Sequence, residues 1–357
     1  MTGAVRLAEL AVRFRRAERS FPTSPLYRRL VTGVADDPDL LAIAAHGRPG
    51  QAPDFLLLGA VHLLLCRRPD APLARFYPDL ADPPGAGDPF PDFRSYCLEH
   101  RDELIGLVTT RLVQTNEPRR SAALLLGLGA VRRDDPRPFG LVEVGASAGL
   151  NLQYDRYRYQ FGEGLSVGDP AAAVVIRCAA EGPLAPPLPG ALPRPARRVG
   201  IDLHPVDVAD PDAVSWLSAL LSPEDDARRR LLLTACELAR DDPPNLVAGD
   251  VFDVLPRVVA DLPAGMPVCV FHSSVLFHFP AALRPAFAEM VGDLRRDRDV
   301  HWLSLEGAGT THRLAQLPER NHQVLGLTSF AGGVRSDRVL ALFDPHGAWV
   351  EWLPEGA

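Results

Sequence analysis

Residues Phe139–Leu152, FGLVEVGASAGLNL, leave few folds open to this chain. Phe139–Val144 is a short apolar run with Val and Leu at its centre, the mark of a strand buried on both faces. It stops at Gly145-Ala-Ser-Ala-Gly149, a turn of small residues, after which a helical pattern follows. Strand, glycine turn and helix in succession form the nucleotide-binding end of a doubly wound α/β domain. Glycine there lets the backbone approach a ligand closely, and a helix N-terminus offers free N–H groups. Counted from Glu143 the spacing is ExGxxxG. The dinucleotide fingerprint GxGxxG needs glycine at position 147, which is Ser147. A carboxylate at the strand end without a pyrophosphate cradle suits a cationic, phosphate-free nucleoside such as S-adenosylmethionine. A tight βα turn that holds no ligand is the competing reading.

Before this stretch, residues 1–135 carry helical periodicity and almost no strand signal. Val5–Glu18 is amphipathic, with Leu7, Leu10, Ala11 and Phe14 opposite Arg13, Arg15 and Arg16. Ser24-Pro25 opens a second helix, Asp54–Cys66 reads as a buried one, and Phe93–Val113 and Ser121–Val131 complete the set, with a proline-rich connection over Pro69–Pro91. These residues are expected to form an α-helical cap or substrate domain.

From residue 136 to 357 strands alternate with helices. Short apolar runs at Val199–Leu203, Asn245–Ala248, Val268–His272 and His301–Leu305 follow the first strand, with helices at Pro211–Ala239 (broken at Ser222-Pro223) and Ala281–Arg295. Arg338–Phe343 and Trp349–Trp352 flank a four-residue turn and read as a closing hairpin. A hairpin of Tyr154–Gln160 with Ala172–Cys178, followed by a segment dense in proline, is expected as an insertion at about 154–197. The fold class is therefore α/β: a doubly wound, Rossmann-like, mostly parallel sheet with a terminal antiparallel hairpin, the layout of class I methyltransferases, preceded by the helical cap.

Composition removes several functions. The chain has no lysine, so a Walker P-loop, a pyridoxal Schiff base and a lysine nucleophile are excluded. A net charge of −7 argues against nucleic acid as a partner. The five cysteines show neither a CxxC pair nor metal spacing. No apolar run approaches membrane-spanning length and the N-terminus lacks a signal-peptide core, so the expectation is a cytoplasmic protein with no membrane partner. The expected partner is a small-molecule substrate; oligomeric state is not readable.

In open α/β sheets ligands bind at the C-terminal ends of the strands. The residues there are Glu143, Gly145, Asp202, Asp250, His272, Ser273 and Glu306, each polar or glycine and each after an apolar run. Gly145, Ala146, Gly149 and Asn151 would lie against the methionine part of the cofactor, and Glu143 would anchor the turn or receive its ammonium. Asp202 is the candidate for the ribose hydroxyls, with Glu181 competing. Asp250 can accept from an adenine amino group while Val251 or Phe252 covers the ring; it can equally cap the helix that follows. His272 is placed to take a proton from an attacking hydroxyl or amine, or to be a buried structural histidine. Glu306 could close over the acceptor.

VEVGASAGLNL with DRYRY, GIDLHPVDV with SWLSAL, LVAGD, VFHSSVLFHFP, and QTNEPRRSAALL in the helical region together resemble DUF2332, an uncharacterised bacterial family. The resemblance runs from SPLYRRL to DPHGAWVEWL. It implies an S-adenosylmethionine-dependent methyltransferase-like domain in the C-terminal two-thirds. It also brings forward Gln114, Asn116, Glu117 and Arg120, with Ser273, as acceptor-binding candidates. Pro118 and Ser121 depart from the family pattern, which affects packing more than chemistry.

Methyl transfer to a small molecule is the first functional expectation. A non-catalytic cofactor-binding or regulatory protein on the same fold is the second, and an NAD(P)-dependent oxidoreductase, disfavoured by ExGxxxG, the third. Gly145→Arg is expected to abolish cofactor binding while leaving the fold largely intact.

Overall fold

The computed structural model describes residues 3–312 and 321–354. The chain divides into two compact units, Met1–Thr115 with Asp210–Leu233, and Asn116–Ala209 with Thr234–Ala357. The sequence boundary expected at residue 135 is thus drawn at 115, and the segment 210–233 joins the first unit.

The first unit is helical. Ser24 and Asp37 cap the helices Pro25–Ala35 and Pro38–Ala44, each with proline at the first helical position, where its missing N–H costs nothing. Helix Pro53–Arg67 is buried from Leu56 to Leu65 and runs through the core. The amphipathic stretch expected over Phe93–Val113 is two helices, Phe90–Glu99 and Arg101–Thr110, meeting at His100. Helix Pro211–Ala219 belongs here because Trp216 and Leu220 enter this core, and the Trp216 indole N–H donates to the Leu112 carbonyl at 2.8 Å. Glu224 accepts from the Ser24 hydroxyl (2.7 Å) and the Leu26 amide (3.1 Å).

One acid and two bases meet in this core. His62, fully buried, faces Asp79 through Nε2 at 2.9 Å and the Ala219 carbonyl through Nδ1 at 3.1 Å, and Arg229 pairs with the same carboxylate. Burial alone would lower the His62 pKa, but the bonds it donates to Asp79 and Cys66 override this and hold the imidazole above its ordinary value.

The second unit is a mixed α/β structure built on one large, mostly parallel sheet. Its strands are β1 (Gly140–Val144), β2 (Arg158–Phe161), β3 (Leu165–Val167), β4 (Val175–Glu181), β5 (Arg197–Asp202), β6 (Leu246–Ala248), β7 (Val268–Ser273), β8 (Val300–Gly307), β9 (Gln323–Ala331), β10 (Val334–Phe343) and β11 (Trp349–Trp352). Their order is β3-β2-β4-β11-β10-β9-β8-β7-β1-β5-β6. The stretch β6-β5-β1-β7-β8 is parallel throughout, and chain order reverses between β1 and β7. Val144 lies level with His272, and His272 with Ser304.

From β8 to β11 the sheet is an antiparallel meander. The expected closing hairpin is β10–β11; β9 between it and β8 was not foreseen. The inserted region also differs from expectation. β2 turns back antiparallel onto β3 through Gly162 and Gly164, both at positive φ, and it pairs with β4 in parallel, so 154–160 and 172–178 are not two arms of one hairpin. β4 in turn pairs with β11, which extends the sheet rather than leaving a separate excursion.

Alternate side chains of the parallel strands, Val142, Val144, Val268, Val270, Val300 and Trp302, form one core with helices Val251–Ala260 and Leu283–Asp293. Helix Ser121–Asp134 packs against Leu303 and Leu325, where Gly127 leaves room for both. Among the described residues no helix is long and apolar enough to cross a membrane.

Candidate functional site

Tight hydrogen bonding fixes the glycine turn at the end of β1. Gly145 and Gly149 have φ of 72° and 68°, a conformation that costs other residues about 1–2 kcal/mol. The Gly145 and Ala146 amides donate to the Ile201 carbonyl at 2.8 and 3.1 Å, and Gly149 donates back to Ala146 at 2.7 Å. Asp202, ending β5, accepts from the Ser147 amide through Oδ2 and from the His204 amide through Oδ1, both at 2.8 Å. Asn116 Oδ1 accepts from the Leu150 amide at 3.0 Å. The turn is thus assembled from residues of three segments far apart in sequence.

Beyond Gly149 the chain takes 3-10 turns over Leu150–Arg156, not the helix the sequence led us to expect. Within this segment Tyr157 donates to the Leu150 carbonyl (2.6 Å) and Tyr159 to the Tyr154 carbonyl (2.8 Å). The turn therefore acts through its own backbone and the side chains around it, with no α-helix dipole behind it.

Glu143 is buried one residue before the end of β1. Burial pushes its carboxyl well above the usual range; a hydrogen bond from Asn151 opposes this, the charge of Asp202 reinforces it, and Arg120 opposes it again. Arg120 Nε also donates to the Pro345 carbonyl at 2.8 Å, while Glu117 caps the short turn Pro118–Arg120 by accepting from Arg119. Asn116, Glu117, Arg120 and Asn151 therefore belong to the second unit with Glu143, whereas Gln114 lies in the first.

Ser147 was not singled out from sequence. It is the middle residue of Gly145-Ala-Ser-Ala-Gly149, a G-x-S-x-G pattern, and its φ is 52°. A serine held this way after a strand resembles a nucleophile elbow. Its buried Oγ has no hydrogen-bond partner among the described residues, so the histidine an elbow serine needs is not in contact with it.

Across the switch in strand order, β7 and β8 bring His272 and Glu306 together. The His272 Nδ1–H donates to Glu306 Oε1 at 2.8 Å, and the same oxygen accepts from the amides of Val275 (2.7 Å) and Leu276 (3.0 Å). That acceptor assigns the proton to Nδ1 and turns Nε2 away from the carboxylate. Burial alone would raise the Glu306 pKa, but the bond and charge of His272 and the two amides outweigh it and hold the carboxyl below its ordinary value. The rings of Phe287 and Trp302 flank the imidazole, with centroids at 5.7 and 5.8 Å. A histidine oriented by a carboxylate, with its second nitrogen unengaged among the described residues, is chemically able to accept a proton.

The other sequence candidates are placed as follows. Asp250 caps helix Val251–Ala260, accepting from the Phe252 amide at 2.9 Å, and is exposed; Val251 packs in the core of that helix. Ser273 follows His272 with its Oγ buried and unbonded among the described residues. Glu181 ends β4, which five strands separate from β1. At about 4.8 Å per strand step it is roughly 29 Å from the glycine turn, so Asp202 is the acid that meets the turn.

One group in the first unit, His62, Cys66 and Asp79, has its ligand atoms close enough to hold a metal ion. Asp79 already carries Arg229, and both His62 nitrogens face protein acceptors, so a dication there would displace an ion pair. A protein-family model described as "Uncharacterized protein conserved in bacteria (DUF2332)" matches residues 11–352. No curated protein matches the chain.

Proposed function

Since the chain belongs to DUF2332, whose description carries no reaction, we propose from the site itself that it transfers a methyl group from S-adenosylmethionine to a small-molecule acceptor. One observation carries this reading. Glu143 Oε2, Ser147 Oγ, Asn151 Oδ1, His272 Nε2 and Ser273 Oγ are buried without hydrogen-bond partners among the described residues, and all lie at or just beyond the C-terminal ends of β1 and β7. Buried polar atoms are nearly always bonded. Several orphans at one end of one sheet, beside a switch in strand order, support a polar ligand there.

The donor set fits the cofactor's chemistry. Burial holds Glu143 above the usual carboxyl range, so a cation brought beside it recovers the missing interaction. The turn offers glycine backbone and no lysine, which suits a ligand without phosphates. Bound there, S-adenosylmethionine supplies an electrophilic methyl on sulfonium sulfur. His272 Nε2 would accept the proton of the hydroxyl or amine that receives the methyl group. Glu306 stabilises the resulting imidazolium at Nδ1. Phe287 and Trp302 keep water from the imidazole.

The test is calorimetric titration of the purified protein with S-adenosylmethionine and S-adenosylhomocysteine, with NADH and NADPH as controls. Binding of the adenosyl ligands alone is expected. Silence from both would remove the methyltransferase reading, and binding of a reduced nicotinamide would replace it with the oxidoreductase one.

A further inference from the structure

Between helix Leu283–Asp293 and strands β8–β10 lies a cleft of about 770 Å³, within the usual size of small-molecule sites. Its floor is a row across three strands: Trp302 pairs in register with Thr328, and Thr328 with Asp337. Leu276, Pro285 and Ala288 form an apolar wall. The cleft adjoins the His272–Glu306 pair through Leu276, whose amide bonds Glu306, and through Trp302, which packs on the imidazole.

The polar side of the cleft is already arranged. The Thr328 hydroxyl donates to Asp337 at 2.6 Å, so its oxygen accepts from His312 Nε2–H at 3.2 Å. That fixes His312 Nδ1 as an acceptor for the Thr311 hydroxyl at 3.2 Å. The imidazole lies over Gly326, where any Cβ would collide with it.

Arg335 pairs with Asp337 and Arg338 with Asp134. Arg284 lines the cleft with no carboxylate partner among the described residues; its Nη2 reaches only the Phe277 carbonyl at 3.4 Å, and its buried Nε is unbonded. The Trp302 indole N–H is also unbonded, on a side chain only 6% exposed. Two orphaned donors, one of them cationic, on a part-apolar cleft call for an anion with an apolar body.

We propose that this cleft is the acceptor pocket and that it takes a small aromatic or aliphatic carboxylate. The carboxylate sits on Arg284 and the Trp302 N–H, and the body rests against Leu276, Pro285 and Ala288. The word acceptor rests on the methyl-transfer reading; the carboxylate site does not.

The probes are 3-phenylpropionate and indole-3-acetate, each with its neutral amide, titrated by calorimetry into the full chain with and without S-adenosylhomocysteine. At least one carboxylate should bind, with its amide weaker by about tenfold or more, as a charge-assisted bond requires. Arg284→Gln should weaken the carboxylate by a similar factor, leave the amide unchanged, and leave thermal unfolding where it was. No binding by either carboxylate, equal binding of acid and amide, or an Arg284→Gln variant that binds the acid normally would each overturn the pocket. Homocysteine-ligand binding without carboxylate binding sinks the pocket alone. Carboxylate binding by a protein that does not bind S-adenosylhomocysteine keeps the pocket and sinks methyl transfer.

Discussion

Glu306 Oε1 accepts three hydrogen bonds in a site where its side chain is 1% exposed, so its charge is held by geometry rather than by water. Because its folded pKa is lowered, the stability it contributes is present above the ordinary carboxyl value near 4.5 and disappears as pH falls through the folded value. Glu306→Gln should cost about 1.5–3 kcal/mol at neutral pH, the worth of hydrogen bonds to a charged group. It should also remove part of the acid limb. Urea unfolding of both proteins at a series of pH values from neutral downwards measures this, and parallel curves would show that the carboxylate is not the titrating group. Glu143 is the opposite case. Where its raised pKa keeps it protonated, binding of an ammonium should expel a proton, seen as a binding enthalpy that varies with the ionisation enthalpy of the buffer. Glu143→Gln should abolish that variation. Gly145 behaves differently from the sequence expectation. Its Cβ would overlap Val275 at a φ of 72°, so Gly145→Arg damages the fold and tests nothing about binding. Even Gly145→Ala should lose about 2–4 kcal/mol from backbone strain and overpacking together, measurable as a lower denaturation midpoint.

At the level of elements, what was legible follows from local pattern. β1, β5, β7 and β8 each announce themselves as short apolar runs ending in a polar residue, and those ends converge because the strands are neighbours. His272 and Glu306 were therefore readable as candidates, but their contact was not, since it depends on β7 and β8 being adjacent. β9 escaped because Gly326, Thr328 and Ser329 interrupt its apolar run. The parallel pairing of β2 with β4 escaped because nothing local distinguishes it from a hairpin. The polar wall of the cleft draws His312 from a loop, Thr328 from β9 and Asp337 from β10, and no spacing links them. The left-handed Ser147 carries a signal in sequence, the G-x-S-x-G pattern. Gly326 ties this strand to the proposed pocket. Gly326→Ala should push the His312 ring off β9, cost about 1–3 kcal/mol, and weaken carboxylate binding to the cleft, whereas an alanine that changes neither would show that the ring can move freely.

Across the whole molecule the two units respond oppositely to pH. His62 in the first has a raised pKa, so its contribution is complete below about 6.5 and is lost as pH rises through the folded value. Thermal unfolding followed from about pH 6 to 9 should show a decline that His62→Gln lacks; an unchanged slope in the variant would assign the decline elsewhere. The sheet of the second unit adds a constraint of another kind. β4 has β2 on one side and β11 on the other, so among the described residues the strands β3, β2 and β4 join the rest of the sheet only through Trp349–Glu351. On a ribosome adding about 5–20 residues per second, Val175–Glu181 waits roughly 10–30 s for that strand to emerge. During this interval three strands with an unpaired edge are synthesised and unprotected, and a nascent chain halted before residue 349 offers them to chaperones and proteases.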